Sequence, residues 1–148
     1  MLVPERIEQL LLSQFSEAIQ ESREISEVST LTIQPNEIVY ICAFLKENPE
    51  LNFDYLTSLS AVDLADRFDV VYHLYSISHK HHVTLKVKVE KENPVISSVT
   101  SVWKAADWQE REVYDMFGIE FEGHPDLRRI LLEPDWKGFP LRKDYTDQ

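Results

Sequence analysis

The stretch from residue 107 to residue 124 holds many of the side chains that could do chemistry. Four of its carboxylates, Asp107, Glu110, Glu112 and Asp115, could form a metal site or an acid–base site together with His124. On a helix only residues three or four apart share a face, so the four carboxylates do not all point the same way. A capping box from Asp107 to Glu110, with solvated pairing of the others, explains them better. His124 stands before a proline, where we expect a turn residue with a local hydrogen bond.

A second group of potential metal ligands consists of His79, His81 and His82. Alternate histidines on a strand can share a face and so bind one ion. No cysteine or carboxylate stands at a fitting spacing beside them. The sequence therefore favours a polar hairpin tip over a metal site.

Glycine and cysteine usage argues against cofactor chemistry in this chain. Only three glycines occur, at 118, 123 and 138, and none forms a phosphate-binding loop after a strand. The single cysteine, Cys42, can form neither an intramolecular disulfide nor an iron–sulfur or zinc site. It lies in the apolar run 38–45, which predicts a small core residue in a reducing, cytoplasmic setting.

The basic residues near the C-terminus alternate with apolar ones and form no stripe; they are Arg128, Arg129, Lys137, Arg142 and Lys143. Two interpretations stay open, carboxylate recognition on a protein partner and solvent-exposed balancing charge. Neighbouring side chains of an extended segment point opposite ways. One of Arg128 and Arg129 is therefore expected to pair with a carboxylate of the 107–115 helix, and the other to face a partner.

Length and charge limit the class of protein further. The 148 residues, 43 % of them hydrophobic, suit one globular domain. A net charge of −11 disfavours nucleic acid and anionic membrane surfaces as partners. No apolar run approaches the roughly 20 residues of a membrane helix, and the start lacks signal-peptide features. Any work at a membrane would require a partner to hold the chain there.

Hydrophobic periodicity predicts an α+β fold, a single domain with a small mixed or antiparallel sheet and flanking helices. The predicted helices are 4–20, a second one opened by Pro35 and closed by Pro49, and 108–117 with Gly118 as its left-handed end. The predicted strands are 28–33, 56–64, 68–75 and 83–89, with the last two joined as a hairpin, and a short apolar segment follows at 95–102.

Residues 119–148 have neither helical nor strand period, yet they are rich in proline, aromatic and aliphatic residues. Disordered tails lack such apolar residues, and irregular segments this long are uncommon inside compact domains. We therefore divide the chain into an α+β domain, 1–118, and an extended tail, 119–148, that docks on a partner. The alternative, a tail that wraps its own domain, stays open.

The segments 110–119, 121, 123–131 and 135–145 carry a family resemblance. Their residues, from Glu-Arg-Glu-Val-Tyr-Asp-Met-Phe-Gly-Ile to Asp-Trp-Lys-Gly-Phe-Pro-Leu-Arg-Lys-Asp-Tyr, resemble the signature of the C subunit, also called the 30-kDa subunit, of complex I-type NADH:quinone oxidoreductases. Phe139 stands where many members have His, which argues against proton chemistry at that position.

The resemblance implies a cofactor-free, non-catalytic subunit of the peripheral arm, on the cytoplasmic face of the membrane. Its partners would be the quinone-site D subunit and the B and I subunits, while FMN and iron–sulfur clusters would reside in other subunits. The related alternative is the equivalent subunit of a membrane-bound hydrogenase or of a ferredoxin- or coenzyme F420-linked quinone reductase. The interface residues implied by the signature are Glu110, Arg111, Glu112, Asp115, His124, Arg128, Arg129, Arg142, Lys143 and Asp144.

Overall fold

The computed structural model describes residues 2–146 and confirms a single α+β domain. Its helices are α1 (Pro4–Gln14), α2 (Ile38–Glu47), which follows a 3-10 turn at Pro35–Glu37, and α3 (Ala106–Phe117). Its strands are β1 (Ile19–Ile25), β2 (Val28–Ile33), β3 (Tyr55–Asp63), β4 (Arg67–Tyr75), β5 (His82–Glu90), β6 (Val95–Ser97) and β7 (Glu120–Glu122). Within this range no helix has the length and apolar composition needed to cross a membrane.

Five strands form one mixed sheet in the order β1-β2-β5-β4-β3. All neighbours are antiparallel except β2 and β5, which run parallel. The predicted hairpin is confirmed as β4–β5, with Phe68 opposite Val89 and Leu74 opposite Val83. These four side chains belong to the buried core beneath the helices, because alternate residues of a strand share a face.

The first helix is shorter than its apolar stripe suggested. It ends at Gln14, and Ile19 begins an edge strand that the sequence pattern did not predict. Phe15, assigned to the helical stripe, packs edge-on against Phe44 of α2 instead. Pairing of β1 with β2 through a tight turn at Ser26 and Glu27 outweighs the helical pattern here. Tertiary pairing of this kind commonly overrides local propensity.

A second correction concerns the start of the predicted tail. Residues 120–122 form β7, which pairs in parallel with β6, so regular structure does not stop at residue 118. Ile119 and Phe121 are buried members of the hydrophobic core. The domain therefore extends at least through Glu122. Residues 123–146, which contain no helix or strand, are called the strap below.

Candidate interface formed by the third helix and the strap

Helix α3 places most of the signature side chains. Its end is as predicted, because Gly118 adopts the left-handed conformation with φ of +76°. Its start is not: the N-cap is Ala105, and no side chain caps it. Asp107 lies in the first turn instead, so the predicted capping box does not form.

Glu110 points inward from α3 and is completely buried. Its carboxylate accepts hydrogen bonds from Ser98 Oγ at 2.6 Å and from the Val99 amide at 2.8 Å. Burial raises the pKa of Glu110 to about 7, although the two hydrogen bonds oppose the shift. The predicted capping role of Glu110 is therefore wrong, and its carboxylate instead fastens the segment after β6 to α3.

Asp115 is the second buried carboxylate of α3, with no exposed surface. Its Oδ2 accepts the backbone amides of Ile130, Leu131 and Leu132 at 3.2, 2.7 and 2.9 Å. Its Oδ1 lies 2.7 Å from Arg129 Nη1. Burial pushes the pKa of Asp115 upward, but the Arg129 and amide hydrogen bonds outweigh burial and bring it below its usual value. The prediction of a weak, solvent-exposed helical pair is wrong at this position.

Arg129 is the strap residue whose side chain pairs with Asp115. Its side chain is 9 % exposed, and its Nη1 also donates to the Asp115 carbonyl at 2.9 Å. Nη2 donates to the carbonyls of Trp136 and Gly138 at 3.1 and 2.8 Å. One guanidinium thus ties α3 to two points of the strap seven and nine residues further on.

Arg128 points the opposite way, as expected for neighbours in an extended segment. Its side chain is 71 % exposed and pairs with exposed Asp126 at 2.9 Å. Arg111 of α3 supports the same segment by donating to the carbonyls of Arg128 and Arg129, each at 3.2 Å. The expected pairing of one arginine with a helix carboxylate is confirmed, and Arg129 is that residue. A partner contact for Arg128 stays a prediction.

His124 lies near the start of the strap, and its side chain has no exposed surface. Its Nδ1 accepts the Asp126 amide at 2.9 Å, so Nε2 carries the ring proton of the neutral form. Nε2 lies 3.1 Å from both the carbonyl and Oδ1 of Asp107. The predicted local hydrogen bond is confirmed, and the ring in addition joins the strap to the first turn of α3.

The distal part of the strap is fixed in the same manner. Arg142 Nε donates to the Phe117 carbonyl at 2.6 Å, and its guanidinium lies 5.0 Å from the centre of the Phe139 ring. Arg129 lies 4.9 Å from that ring, so Phe139 contacts two cations. The Lys143 amide donates to Asp63 Oδ2 at 2.8 Å. Asp144, also a predicted interface residue, is exposed.

These contacts leave few groups free for chemistry. Among residues 2–146, no three His, Cys, Asp or Glu side chains form a group that could hold a metal ion. His81 bridges the Leu2 amide and the Leu51 carbonyl, at 3.2 and 2.6 Å, so it ties the hairpin to the N-terminal segment. Burial, together with the charge of Glu110, raises the pKa of the Cys42 thiol far above its usual range, so no thiolate forms.

What the site does offer is a fixed, partly apolar surface. Leu131 is 60 % exposed even though its amide is locked onto Asp115. Trp136 and Leu141 of the strap are also exposed, as is Trp108 of α3, whose indole donates to Glu112 Oε1 at 2.7 Å. The apolar residues of the aperiodic segment 119–148, among them Leu131, Trp136 and Leu141, are those from which the sequence predicted a docking tail. The sequence did not predict that Trp108 of α3 is exposed as well.

The match to known families extends beyond the signature. Residues 31–148 match the family model described as respiratory-chain NADH dehydrogenase, 30 Kd subunit. The chain belongs to this family. It is 54 % identical over 110 residues to the NADH-quinone oxidoreductase C subunit of Chloroherpeton thalassium, and the match covers 73 % of this chain but only 46 % of that longer relative. It is 43 % identical over 138 residues to the second such C subunit of Rhizobium meliloti, covering 91 % of this chain and 75 % of that one.

Solved structures of similar chains share the fold. A trypsin-resistant fragment of Nqo5, residues 1–134, superposes with a TM-score of 0.71 at 29 % identity, covering 82 % of this chain and 99 % of the fragment. A chain of the membrane-bound sulfane sulfur reductase, an archaeal respiratory membrane complex, gives a TM-score of 0.81 at 26 % identity, covering 96 % and 85 %. The family and fold implied by the signature are therefore confirmed.

Proposed function

We propose that this protein is the C subunit of a complex I-type NADH:quinone oxidoreductase, a non-catalytic scaffold without a cofactor of its own. The observation that carries the proposal is the strap. Buried Asp115 and Arg129 fix it to α3, yet it presents Leu131, Trp136 and Leu141 to solvent. Keeping large apolar side chains exposed on an ordered, irregular segment is typical of a surface that another polypeptide covers.

The polar groups of the site support a scaffold role over a catalytic one. Each buried carboxylate of α3 has its oxygens engaged by donors of the chain itself, Glu110 by residues 98–99 and Asp115 by residues 129–132. A catalytic acid or base needs an oxygen within hydrogen-bond reach of a substrate. Glu110, Asp115 and His124 are buried, so they shape the interface from beneath.

In the proposed complex the chain lies in the peripheral arm, at the cytoplasmic face of the membrane. It contacts the quinone-site D subunit and the B and I subunits. Electrons pass from NADH through FMN and iron–sulfur clusters of other subunits to quinone, and this chain holds those subunits in register.

The alternative function is the equivalent subunit of a related membrane complex with another electron donor, such as a hydrogenase or a ferredoxin- or coenzyme F420-linked quinone reductase. The similarity to the archaeal sulfane sulfur reductase favours keeping this alternative, since a chain of that complex has the same fold. The higher identity to relatives named as C subunits of NADH-quinone oxidoreductases, 43 % and 54 %, favours the NADH-linked complex.

Purification of the full chain, tagged in its native host, tests the proposal. Detergent-solubilised membranes should yield a complex that contains FMN, iron–sulfur clusters and NADH:quinone reductase activity. The chain released from that complex should be colourless and free of metal. Recovery of the chain alone, or stoichiometric iron or flavin on the released chain, would contradict the proposal. Activity with ferredoxin but not NADH would select the alternative.

A matched pair of substitutions tests the strap surface itself. Leu131→Gln changes a strap residue that is 60 % exposed, and Ile77→Gln changes one that is 58 % exposed after β4, at the hairpin tip. Both should leave the melting temperature of the isolated chain unchanged, because exposed side chains contribute little to folding. Only Leu131→Gln should reduce recovery of the complex. Equal recovery of the complex with both variants would show that the exposed surface of the strap does not contact a partner.

A further inference from the structure

A second surface lies on the face of the sheet opposite the core. Two cavities, of about 440 and 170 Å³, open there side by side and share Ile25, Thr30 and Lys86 in their linings. Every lining residue belongs to β1, β2, β4 or β5, so the two cavities form one depression, called the trough below.

The trough has the shape of a channel parallel to β2 and β5. Its floor consists of outward-facing residues of those two strands, Thr30, Thr32, Thr84, Lys86 and Lys88, which lie on the side of the sheet away from the core. The three threonines are buried, and the residues that line the cavities around them all belong to neighbouring strands. Side chains of β1 and β4 thus form walls on either side of the threonines, whereas Lys86 is half-buried and Lys88 is exposed.

The length of the trough fits an extended segment. Along β5 it reaches from His82 to Lys88. At ~3.3 Å per residue this span is about 20 Å, room for roughly six residues of a second extended chain. The hydroxyls of Thr30 and Thr32 offer hydrogen-bond donors to such a chain, whereas the Thr84 hydroxyl already bonds His73 Nδ1 at 3.1 Å.

The charges of the trough point to the chemistry of its occupant. The two wall carboxylates are already neutralised, Glu21 by Arg23 and Asp69 by Arg67, each pair at 2.8 Å. The floor lysines, 86 and 88, take part in none of the ion pairs formed by residues 2–146. Among the described residues these two cations therefore stand side by side without an ion-pair partner, Lys86 half-buried and Lys88 exposed, in a chain whose net charge is −11.

We propose that the trough binds an extended acidic segment of a neighbouring subunit, whose carboxylates pair with Lys86 and Lys88. The inference rests on the proposed function, because the occupant is another polypeptide of the same complex. Complementary charge at such a contact selects the partner and its register. A nucleic acid backbone fits less well, because it would extend beyond the two lysines over a chain whose net charge is −11.

Zero-length cross-linking of the purified complex tests the proposal, because a carbodiimide joins a lysine amine to a carboxylate only at direct contact. Mass spectrometry should find Lys86 or Lys88 linked to an Asp or Glu of another subunit. The Lys91–Asp63 ion pair of this chain, outside the trough, should also cross-link and serves as the internal positive control for the reagent. Links from Lys86 or Lys88 to a second copy of this chain, or free amines at both positions while the Lys91–Asp63 link forms, would overturn the inference.

Charge reversal provides the second measurement. Lys86→Glu with Lys88→Glu should lower recovery of the complex by about tenfold or more, because like charges then meet across the contact. Lys86→Gln with Lys88→Gln should have a smaller effect, and Lys104→Glu none. The melting temperature of each isolated variant controls for folding. Unchanged recovery of the complex with Lys86→Glu and Lys88→Glu would contradict the inference but not the proposed function. A wild-type chain recovered without partner subunits would contradict both the inference and the proposed function.

Discussion

Replacing Arg129 by alanine removes the guanidinium that joins α3 to the strap. The substitution deletes the ion pair with Asp115 and the hydrogen bonds to the carbonyls of residues 115, 136 and 138. It leaves Asp115 buried, with only the amides of residues 130–132 to balance its charge. We therefore expect a loss of stability concentrated where the strap lies on α3.

The magnitude follows from the burial of both partners, 9 % and 0 % exposed. Removing one member of a buried ion pair costs about 3–5 kcal/mol, because the other charge is left uncompensated. The three amides that remain on Asp115 place this case at the lower end, about 3 kcal/mol. For a domain of this size each kcal/mol lowers the melting temperature by about 2–4 °C, so Arg129→Ala should melt roughly 6–12 °C below wild type.

Thermal unfolding followed by circular dichroism, together with amide hydrogen exchange, measures both parts of this expectation. The amides of Ile130, Leu131 and Leu132 should exchange faster in Arg129→Ala, because their common acceptor is no longer held in place. The matched control is Arg128→Ala, which removes a side chain that is 71 % exposed. Its melting temperature should stay within the error of wild type, since exposed ion pairs contribute little.

Two results would refute the reasoning. An Arg129→Ala variant that melts like wild type, with unchanged exchange at residues 130–132, would show that the buried pair does not hold the strap. Equal destabilisation by Arg128→Ala would show that the two neighbouring side chains do not differ as their burial requires. If Arg128→Ala also assembles normally, Arg128 does not contact the partner.

Three further predictions follow from the buried carboxylates and from the boundary of the domain. Glu110→Gln should raise the melting temperature at pH 8 more than at pH 5. Burial raises the pKa of Glu110 to about 7 in the folded chain, so ionising its carboxylate destabilises the native state increasingly as pH rises above the pKa in the unfolded chain. The glutamine side chain does not ionise, so the variant lacks this destabilisation. Asp115→Asn should weaken the dependence of the melting temperature on pH at acid pH. The pKa of Asp115 is lowered in the folded chain, so its stabilising contribution is present above the usual aspartate pKa and is lost as pH falls through the folded value. A steeper acid dependence in the variant than in wild type would contradict this. Finally, a chain ending at residue 118 should lose cooperative thermal unfolding, whereas one ending at residue 122 should keep it. The reason is that only the longer chain retains β7 and the buried Phe121. Equal cooperativity of the two chains would place the domain boundary at residue 118.

The local pattern of the sequence determined much of the fold. The β4–β5 hairpin was predictable because its apolar residues alternate with a period of two, which fixes both the strand and the buried face. The end of α3 was predictable because helices often end at a residue in the left-handed conformation, and glycine adopts this conformation more readily than other residues, as Gly118 does here. The family was named differently, from the resemblance of residues 110–119, 121, 123–131 and 135–145 to a known signature and not from local periodicity. The sequence also predicted that Arg128 and Arg129 face opposite ways.

Only the tertiary structure decided which interactions the polar residues make. Glu110 and Asp115 match a capping box and an exposed helical pair in sequence, yet both are buried, because the segments after β6 and before residue 133 bring backbone amides to them. A carboxylate at a given helical position can satisfy solvent, a cap or a distant amide equally well. Local spacing carries no information about which of these the chain brings near. Tertiary structure also decided β1 and β7, whose sequences have little strand preference. They form because β2 and β6 offer them hydrogen-bonding edges.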